Sequence, residues 1–288
     1  MSGIPEIYAF FDEPTNAVSY LVADPASCSA AVIDPVLNFD LASGEIGSRS
    51  AEEILAHASD RGHSIEWVLE THVHADHLSA ADFIRGRTGA KVGIGEGVRA
   101  VQQAFAPSFR ADEAESAFDR LFADGDTIAL GALTVEVLAT PGHTPACVSY
   151  KAADALFVGD TLFMPDYGTA RTDFPGGDAR QLYRSIRRIL SFPRETRLFL
   201  CHDYKTPGRA SYAWETTVGD ELDHNVHVGG GVTEEEFVAM RQARDATLCA
   251  PKLLYPSIQV NIRGGRLPPA EPNGERYLKI PLTVSASA

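Results

Sequence analysis

The stretch THVHADHLSA, residues 71–80, contains three histidines and an aspartate within six positions: His72, His74, Asp76 and His77. It directly follows the apolar run WVL at 67–69, which is typical of a buried β-strand. Imidazole and carboxylate groups are the usual nitrogen and oxygen ligands of transition metals, and an ordinary core gains nothing from histidines at this density. The stretch is therefore interpreted as a metal-binding loop at a strand end.

Three further candidate ligands also come directly after apolar, strand-like runs. They are His143 in ATPGHTPA, Asp160 in LFVGDTLF and His202 in LFLCHDYK. A rigid sheet holds side chains at strand ends in fixed positions, while the following loops provide access. We expect all four sites to converge at one edge of a sheet.

The composition excludes several classes of protein. With 288 residues and 44% hydrophobic content, the chain is globular and long enough for one large domain or two ordinary ones. Its formal net charge of −14 repels nucleic acid and anionic membranes, so neither is an expected partner. An anionic ligand needs a local basic pocket.

The expected location is the cytoplasm. The first residues, MSGIPEIYAFFDEP, show no basic region followed by an apolar one, and no stretch approaches the roughly 20 apolar residues of a membrane helix. The four cysteines, Cys28, Cys147, Cys201 and Cys249, form no CxxC pair, which favours reduced thiols over disulfides or a zinc ribbon.

The patterning predicts an α/β protein. Strand-like runs alternate with helical ones, for example a helix over 178–190 and a helix capped by Thr233. Residues 38–48 are expected to be a loop, and Ser50 with Glu53 is expected to cap the next helix. The alternating pattern of strand-like and helical runs ends at about residue 210. Farther along, prolines at 251, 256, 268 and 269 are expected to break the tail into short pieces. The predicted organisation is a catalytic domain over 1–210 with a C-terminal extension, 211–288, packed on it.

The order of these motifs carries a resemblance. H-x-H-x-D-H at 72–77, then Gly-His at 142–143, Asp160 and His202, is similar to the ligand series of the metallo-β-lactamase superfamily. The match spans residues 15–205. It implies an αββα sandwich, two mixed β-sheets flanked by helices, with the metal site at one edge between the sheets.

The loop after Asp160 indicates which family within this superfamily the sequence resembles most. Residues 171–174, RTDF, resemble the signature of persulfide dioxygenases, whereas glyoxalase II enzymes tend to have R-F-F-E at the comparable place. The insertion at 164–170 is similar to a bacterial branch sometimes described only as β-lactamase-like hydrolases. Thr169 departs from branches with cysteine at that position, so no role of such a cysteine carries over.

The resemblance implies a mononuclear non-haem Fe(II) enzyme, with one iron per chain on His72, His143 and Asp160. It would oxidise glutathione persulfide with O₂ to sulfite and glutathione. Asp76, Arg171 and Tyr204 are the candidate catalytic residues. Four residues, among them Asp76 in a second role, would hydrogen-bond the metal ligands and iron-bound water: His74, Asp76, His77 and His202.

An alternative uses the same residues for a glyoxalase II-like thioester hydrolase with two metal ions, for which zinc is suitable. Asp76, His77 and His202 would take the second ion, Asp160 would bridge, and His74 would join the first site. Every ligand for this version is present in the sequence. A third alternative is a catalytically silent binding scaffold, which would not need the full ligand set.

Substrate recognition rests on fewer residues. Arg171 is the first candidate for binding the carboxylates of glutathione, and Tyr204 for a hydrogen bond to the bound sulfur or oxygen. Equally, Arg171 and Asp173 could pair with each other in a structural loop. Further basic candidates without motif support are Lys205, Arg209, Arg263 and Arg266. The sequence allows a homodimer or homotetramer.

Overall fold

The computed structural model describes residues 3–109, 111, 114 and 116–282. Two six-stranded sheets dominate it. The first has the strand order β1 (Glu6–Asp12), β2 (Ala17–Ala23), β3 (Ser29–Ile33), β6 (Ser64–Glu70), β8 (Lys91–Gly95), β9 (Arg120–Phe122). The second has the order β10 (Thr127–Leu130), β11 (Leu133–Ala139), β12 (Val148–Ala152), β13 (Ala155–Phe157), β14 (Arg197–Phe199), β15 (Glu215–Thr217). Both sheets mix parallel and antiparallel pairs.

The helices cover the outer faces of the sheets. They are α1 (Arg49–Arg61), α2 (Ala81–Thr88), α3 (Val98–Phe109), α4 (Ala179–Ile189), α5 (Val218–His224), α6 (Glu234–Asp245) and α7 (Leu254–Asn261). Strand β2 shows the layering, because all seven of its residues are buried. Tyr20 packs between the two sheets, while Leu21 packs under the helices beside Ile54 of α1. The predicted αββα sandwich of two mixed sheets is confirmed.

The topology brings the candidate ligands together. Strands β13 and β14 are parallel, and β11 runs in the same direction because two antiparallel pairings separate it from β13. Their carboxyl ends therefore meet at one edge, from which His143, Asp160 and His202 follow. Strand β6 of the facing sheet ends at Glu70 and leads directly into residues 71–77. The expected convergence is confirmed.

Two of the predicted caps differ in outcome. Thr233 forms a capping box with Glu236 at the start of α6, as expected. Ser50 does not cap α1, because the helix already begins at Arg49 with Ser48 as its N-cap. The Ser50 hydroxyl instead donates to Asp12 at 3.0 Å, and its oxygen accepts from Nδ2 of Asn38 at 2.9 Å, so the acceptor that a cap would use is already engaged.

Two regions predicted to be irregular contain regular structure. Residues 38–48 were expected to be a loop, but β4 (Val36–Phe39) and β5 (Ile46–Gly47) form a hairpin that also pairs with β7 (Leu78–Ser79). In the proline-rich tail, α7 tolerates Pro256 because it lies in the first helical turn, where its missing N–H has no intrahelical partner. Residues 256–265 are buried. The division of the chain at residue 210 stays a prediction.

The helices of the described segments are short. The longest, α1, has 13 residues, and none of those described is long and apolar enough to cross a membrane.

Candidate metal centre

The first group of ligands is a triad of two histidines and a carboxylate. Oδ2 of Asp160 lies 3.8 Å from Nε2 of His72 and 3.4 Å from Nε2 of His143. One potential ligand atom from each residue lies within 4.8 Å of the others, and all three residues are buried. Two imidazoles and one carboxylate on one side of a metal leave its remaining positions open.

A second group lies beside the first. Its four members also offer ligand atoms within 4.8 Å of one another: His74, Asp76, His77 and His202. Nε2 of His202 lies 3.2 Å from Oδ2 of Asp76 and 3.6 Å from Oδ1 of Asp160. Asp160 therefore directs one oxygen to each group. The geometry associates His74 with this second group, and its expected role at the first ion of a two-metal site stays a prediction.

Hydrogen bonds orient four of the five histidines in the same way. Nδ1 of His143 donates to the Arg171 carbonyl at 2.7 Å, and Nδ1 of His202 to the Asn16 carbonyl at 3.1 Å. Nδ1 of His77 contacts the Leu78 carbonyl at 3.2 Å, and Nδ1 of His72 contacts the Thr71 hydroxyl at 3.0 Å. A carbonyl can only accept, and the Thr71 hydroxyl already donates its proton to Asp34 at 2.8 Å. In all four histidines the proton is therefore on Nδ1, and the lone pair on Nε2 faces the centre.

His74 has the opposite orientation. Its Nε2 lies 3.0 Å from Oδ1 of Asp34 and 3.4 Å from Oε2 of Glu70, two acids outside the two ligand groups. Burial lowers the pKa of His74, but the charges of these carboxylates outweigh it and raise the pKa well above its ordinary value. Sequence reasoning missed Asp34 and Glu70. The signal was available, since Asp34 directly follows β3 and Glu70 is the last residue of β6, which leads into the ligand stretch.

The residues fit a metal ion. The centre contains buried atoms without a hydrogen-bond partner in the described structure: Nε2 of His72, Nδ1 of His74, Oδ2 of Asp76 and Nε2 of His202. Such atoms are costly unless something binds them. Burial lowers the pKa of His72 well below its ordinary value and that of His77 to about 4, so both imidazoles are neutral and able to ligate.

A cavity of about 570 Å³ opens onto this centre. Asp76, His143 and Asp160 line its floor. One wall is aromatic, since Tyr204 stacks on His202 with ring centroids 5.5 Å apart and contacts Tyr167 at 4.9 Å. The Tyr204 side chain is 37% exposed as a whole, but desolvation at the cavity wall, with the charges of Asp76 and Asp160, raises the pKa of its hydroxyl well above the ordinary value, so the hydroxyl keeps its proton. The sequence indicated Tyr204 but not Tyr167.

The RTDF segment forms another wall, and in it Arg171 and Asp173 pair with each other. Nε and Nη2 of Arg171 each donate to Asp173 at 2.6 Å, and Nη1 donates to the Cys249 carbonyl at 2.8 Å. The structure thus contains the pairing of the alternative interpretation. Arg171 still lines the cavity, but its three nitrogens are already engaged, so its substrate-binding role stays a prediction.

The other basic candidates do not line the cavity. Arg209 pairs with Asp203 and Asp166, the Lys205 ammonium lies over the Tyr212 ring, and Arg263 and Arg266 donate to backbone carbonyls. Arg241 lines it but pairs with Asp245, and two further cations that sequence reasoning missed, Arg244 and Lys252, line it as well. Both are exposed and make no ion pair with any acid in the part of the chain that the structure describes. No motif marks them, since Arg244 lies in the last turn of α6 and Lys252 in the segment between α6 and α7.

The model of the metallo-beta-lactamase superfamily matches residues 12–202, which contain every ligand described above. This chain belongs to that superfamily. Its ligand groups fit metal ions, so it is a metal-dependent enzyme of the superfamily. The identity of the metal and the reaction belong to the proposals below.

The more similar relatives have hydrolase names. A probable metallo-hydrolase of Burkholderia pseudomallei is 54% identical over 96% of this chain and 98% of its own length. A beta-lactamase hydrolase-like protein of Agrobacterium fabrum is 51% identical over 98% of this chain, which spans 66% of the relative's length. By name, these relatives favour the hydrolase alternative over the expected dioxygenase.

Two more distant relatives have the name ETHE1, which in one of them is given to a persulfide dioxygenase. The mitochondrial persulfide dioxygenase ETHE1 of Homo sapiens is 32% identical over 92% of this chain and 91% of its own length. The crystal structure of ETHE1 from Myxococcus xanthus superposes with a TM-score of 0.74 at 32% identity, covering 91% of this chain and all of that one. Because these alignments cover 92% and 91% of this chain, both must include part of the C-terminal segment, 211–288.

Proposed function

We propose that this chain is a persulfide dioxygenase that uses one iron held by His72, His143 and Asp160. The observation that carries the proposal is the position of the RTDF segment. The Arg171 carbonyl accepts the hydrogen bond that orients His143, and the Phe174 ring packs edge-on against the same imidazole at 5.1 Å. The part of the sequence that resembles dioxygenases thus contacts a candidate metal ligand.

The donor set supports the proposal. A triad of two histidines and one carboxylate is typical of non-haem Fe(II) oxygenases. Bound iron would supply the redox chemistry by which O₂ and water convert a persulfide, RSSH, to the thiol RSH and sulfite. The long alignment with a persulfide dioxygenase of Homo sapiens is a second support.

The surrounding residues have roles that suit a sulfur anion. The protonated Tyr204 hydroxyl can donate a hydrogen bond to substrate sulfur or oxygen, and the rings of Phe163 and Tyr167 pack against the Tyr204 ring at 5.8 and 4.9 Å. Burial raises the pKa of Asp76, but the neighbouring histidines outweigh it and lower the pKa, so the carboxylate is ionised. It can accept a proton from the water that the reaction consumes.

Arg244 and Lys252 suit the substrate's carboxylates. Both are at the cavity wall and unpaired with acids of the described chain, in a protein whose net charge is −14. Arg244 lines the same cavity as Tyr167, whose pKa is raised by burial although the positive charge of Arg244 acts to lower it. A small acidic thiol such as glutathione could set its sulfur at the triad and its carboxylates at these cations.

Thioester hydrolysis is the second candidate, and a specific observation favours it. The group of His74, Asp76, His77 and His202 is complete, and Asp160 presents one oxygen to each group, as a bridging ligand would. The hydrolase names of relatives at 54% and 51% identity support it as well. A second metal ion would provide a hydroxide for attack on a thioester carbonyl.

One preparation can distinguish the two candidates. Protein purified without oxygen from iron-supplemented cells is analysed for metal, then assayed for O₂ uptake and sulfite release with glutathione persulfide, with glutathione alone as the blank. We expect about one iron per chain and equal amounts of O₂ and sulfite. The variant His143→Ala should be inactive, whereas His57→Ala, outside the centre, should be active. Hydrolysis of S-lactoylglutathione without O₂ uptake would establish the second candidate.

A further inference from the structure

One buried amide of the C-terminal segment makes three hydrogen bonds to the metal loop, residues 71–77, and to Ser79 of β7 directly after it. Asn261, the last residue of α7, is 4% exposed. Its Nδ2 donates to the backbone carbonyls of His74 and His77, both at 2.8 Å, and its Oδ1 accepts from the backbone N–H of Ser79 at 2.8 Å. The two N–H donors and the oxygen acceptor of the Asn261 amide thus all bind backbone groups within residues 74–79.

The contacted loop has no regular structure of its own. Residues 71–77 follow β6 without entering a helix or a strand, yet they contain all four candidate ligands of the stretch. A buried backbone carbonyl needs a donor, and in a loop of this kind it cannot come from a helix or sheet ladder. The Asn261 amide provides this donor for two residues of the second ligand group.

The helix that presents Asn261 is itself firmly held. Ile258, Val260 and Ile262 are buried, and Gln102 of α3 donates to the Ile262 carbonyl at 3.0 Å. Gly265 approaches the metal-loop side so closely that an added Cβ would lie 2.9 Å from the Ser79 carbonyl oxygen. The amide therefore projects from a rigid element, as an orienting group must.

We propose that Asn261 is a positioning residue for the metal centre. By holding the carbonyls of His74 and His77, it sets the backbone from which these imidazoles and Asp76 project, although it does not face the ligand groups itself. The C-terminal segment is then part of the metal-binding machinery and not only a covering layer. This inference concerns metal binding and holds for either candidate reaction.

The chain offers a matched control on the same helix. Gln259 is 1% exposed, and its Nε2 donates to the carbonyls of Tyr255 and Lys279 while its Oε1 accepts from the N–H of Lys279, all at 2.8 Å. It makes the same kinds of bond as Asn261, but none to the metal loop. Asn261→Asp and Gln259→Glu each replace a buried amide with a carboxyl of the same shape.

The test measures metal affinity in the full chain, with Zn²⁺ competed against a chelator and the absorption spectrum of the Co²⁺-loaded protein as a second readout. We expect Asn261→Asp to weaken Zn²⁺ binding by about 10-fold to 100-fold and to change the Co²⁺ spectrum. Gln259→Glu should lower the melting temperature similarly but leave both metal readouts unchanged. Asn261→Ala, which adds no charge, should behave like Asn261→Asp.

Three results would overturn the inference. Unchanged Zn²⁺ affinity in both Asn261 variants would show that the loop keeps its geometry without the amide. Equal losses in the Asn261 and Gln259 variants would indicate general destabilisation. Failure of both Asn261 variants to fold, with Gln259→Glu folded, would make Asn261 a folding determinant. Because no substrate is used, a wrong assignment of the reaction leaves the test intact.

Discussion

The Cys201 thiol donates a hydrogen bond to Asp160, with Sγ 2.8 Å from Oδ1. Burial raises the pKa of Cys201 well above its ordinary value, so the thiol keeps the proton that it donates. This oxygen of Asp160 is the one that faces His202, whereas Oδ2 faces His72 and His143. The thiol thus orients the carboxylate and competes with a second ion for Oδ1.

The first prediction tests this contact. Cys201→Ala should weaken metal binding at the triad by about 10-fold, because Asp160 loses the group that orients it. Cys201→Ser retains a donor and should stay close to the wild type. Metal titration of the two variants provides the comparison, and equal affinities would show that the sheet alone orients Asp160.

The second prediction divides the histidine cluster. With a single iron, His72→Ala should empty the site. His77→Ala and Asp76→Ala should keep most of the iron and lose activity by roughly 10-fold to 100-fold. Metal analysis of the purified variants is the measurement. Two tightly bound metals in the wild type, one of which is lost in His77→Ala, would contradict the dioxygenase proposal.

The third prediction concerns the cations of the cavity. If the proposed binding mode holds, Arg244→Gln and Lys252→Gln should each raise KM for glutathione persulfide by about 3-fold to 10-fold with little change in kcat, because each removes a charge that would contact the substrate far from its sulfur. Arg187→Gln on α4, an exposed arginine outside the cavity, is the control for net charge. A KM change as large in the control would assign the effect to the overall field.

The fourth prediction distinguishes the two interpretations of Arg171. If it mainly holds the loop, Arg171→Ala and Asp173→Ala should cause the same loss of kcat/KM, about 10-fold, and the double variant should lose no more, because both break one bidentate pair. If it binds substrate, Arg171→Ala should be much more harmful than Asp173→Ala. Steady-state kinetics of the three variants provides the answer.

The fifth prediction concerns pH and Glu221. Burial raises its pKa to about 8, and Asn225 donates to its carboxyl at 2.5 Å. From pH 5 to 8 the unfolded chain has released this proton while the folded protein keeps it, so the free energy of unfolding should fall as pH rises. In urea unfolding of metal-free protein, the free energy of unfolding of the Glu221→Gln variant should fall less steeply with pH than that of the wild type. Parallel pH curves would contradict the raised pKa.

The sequence by itself was sufficient for the strand-end ligands, and the sandwich followed from the resemblance that the order of these ligands carries. His72, His74, Asp76 and His77 lie in one short stretch, and the apolar runs before them and before Asp160 and His202 follow local periodicity. Local chemistry also predicted the Thr233 cap, since all its partners are within three residues. Ligand clusters, apolar runs and helix caps can be predicted from sequence because the interacting groups are neighbours in the chain.

What only the tertiary structure decided depends on distant partners. The amide of Asn261 binds carbonyls 187 and 184 residues away, and Ser50 leaves its predicted cap for Asp12, 38 residues away. Arg244 belongs to the cavity only because α6 packs beside the metal centre. A side chain's partner depends on which groups the fold brings within hydrogen-bond distance, and no local pattern of residues encodes that proximity.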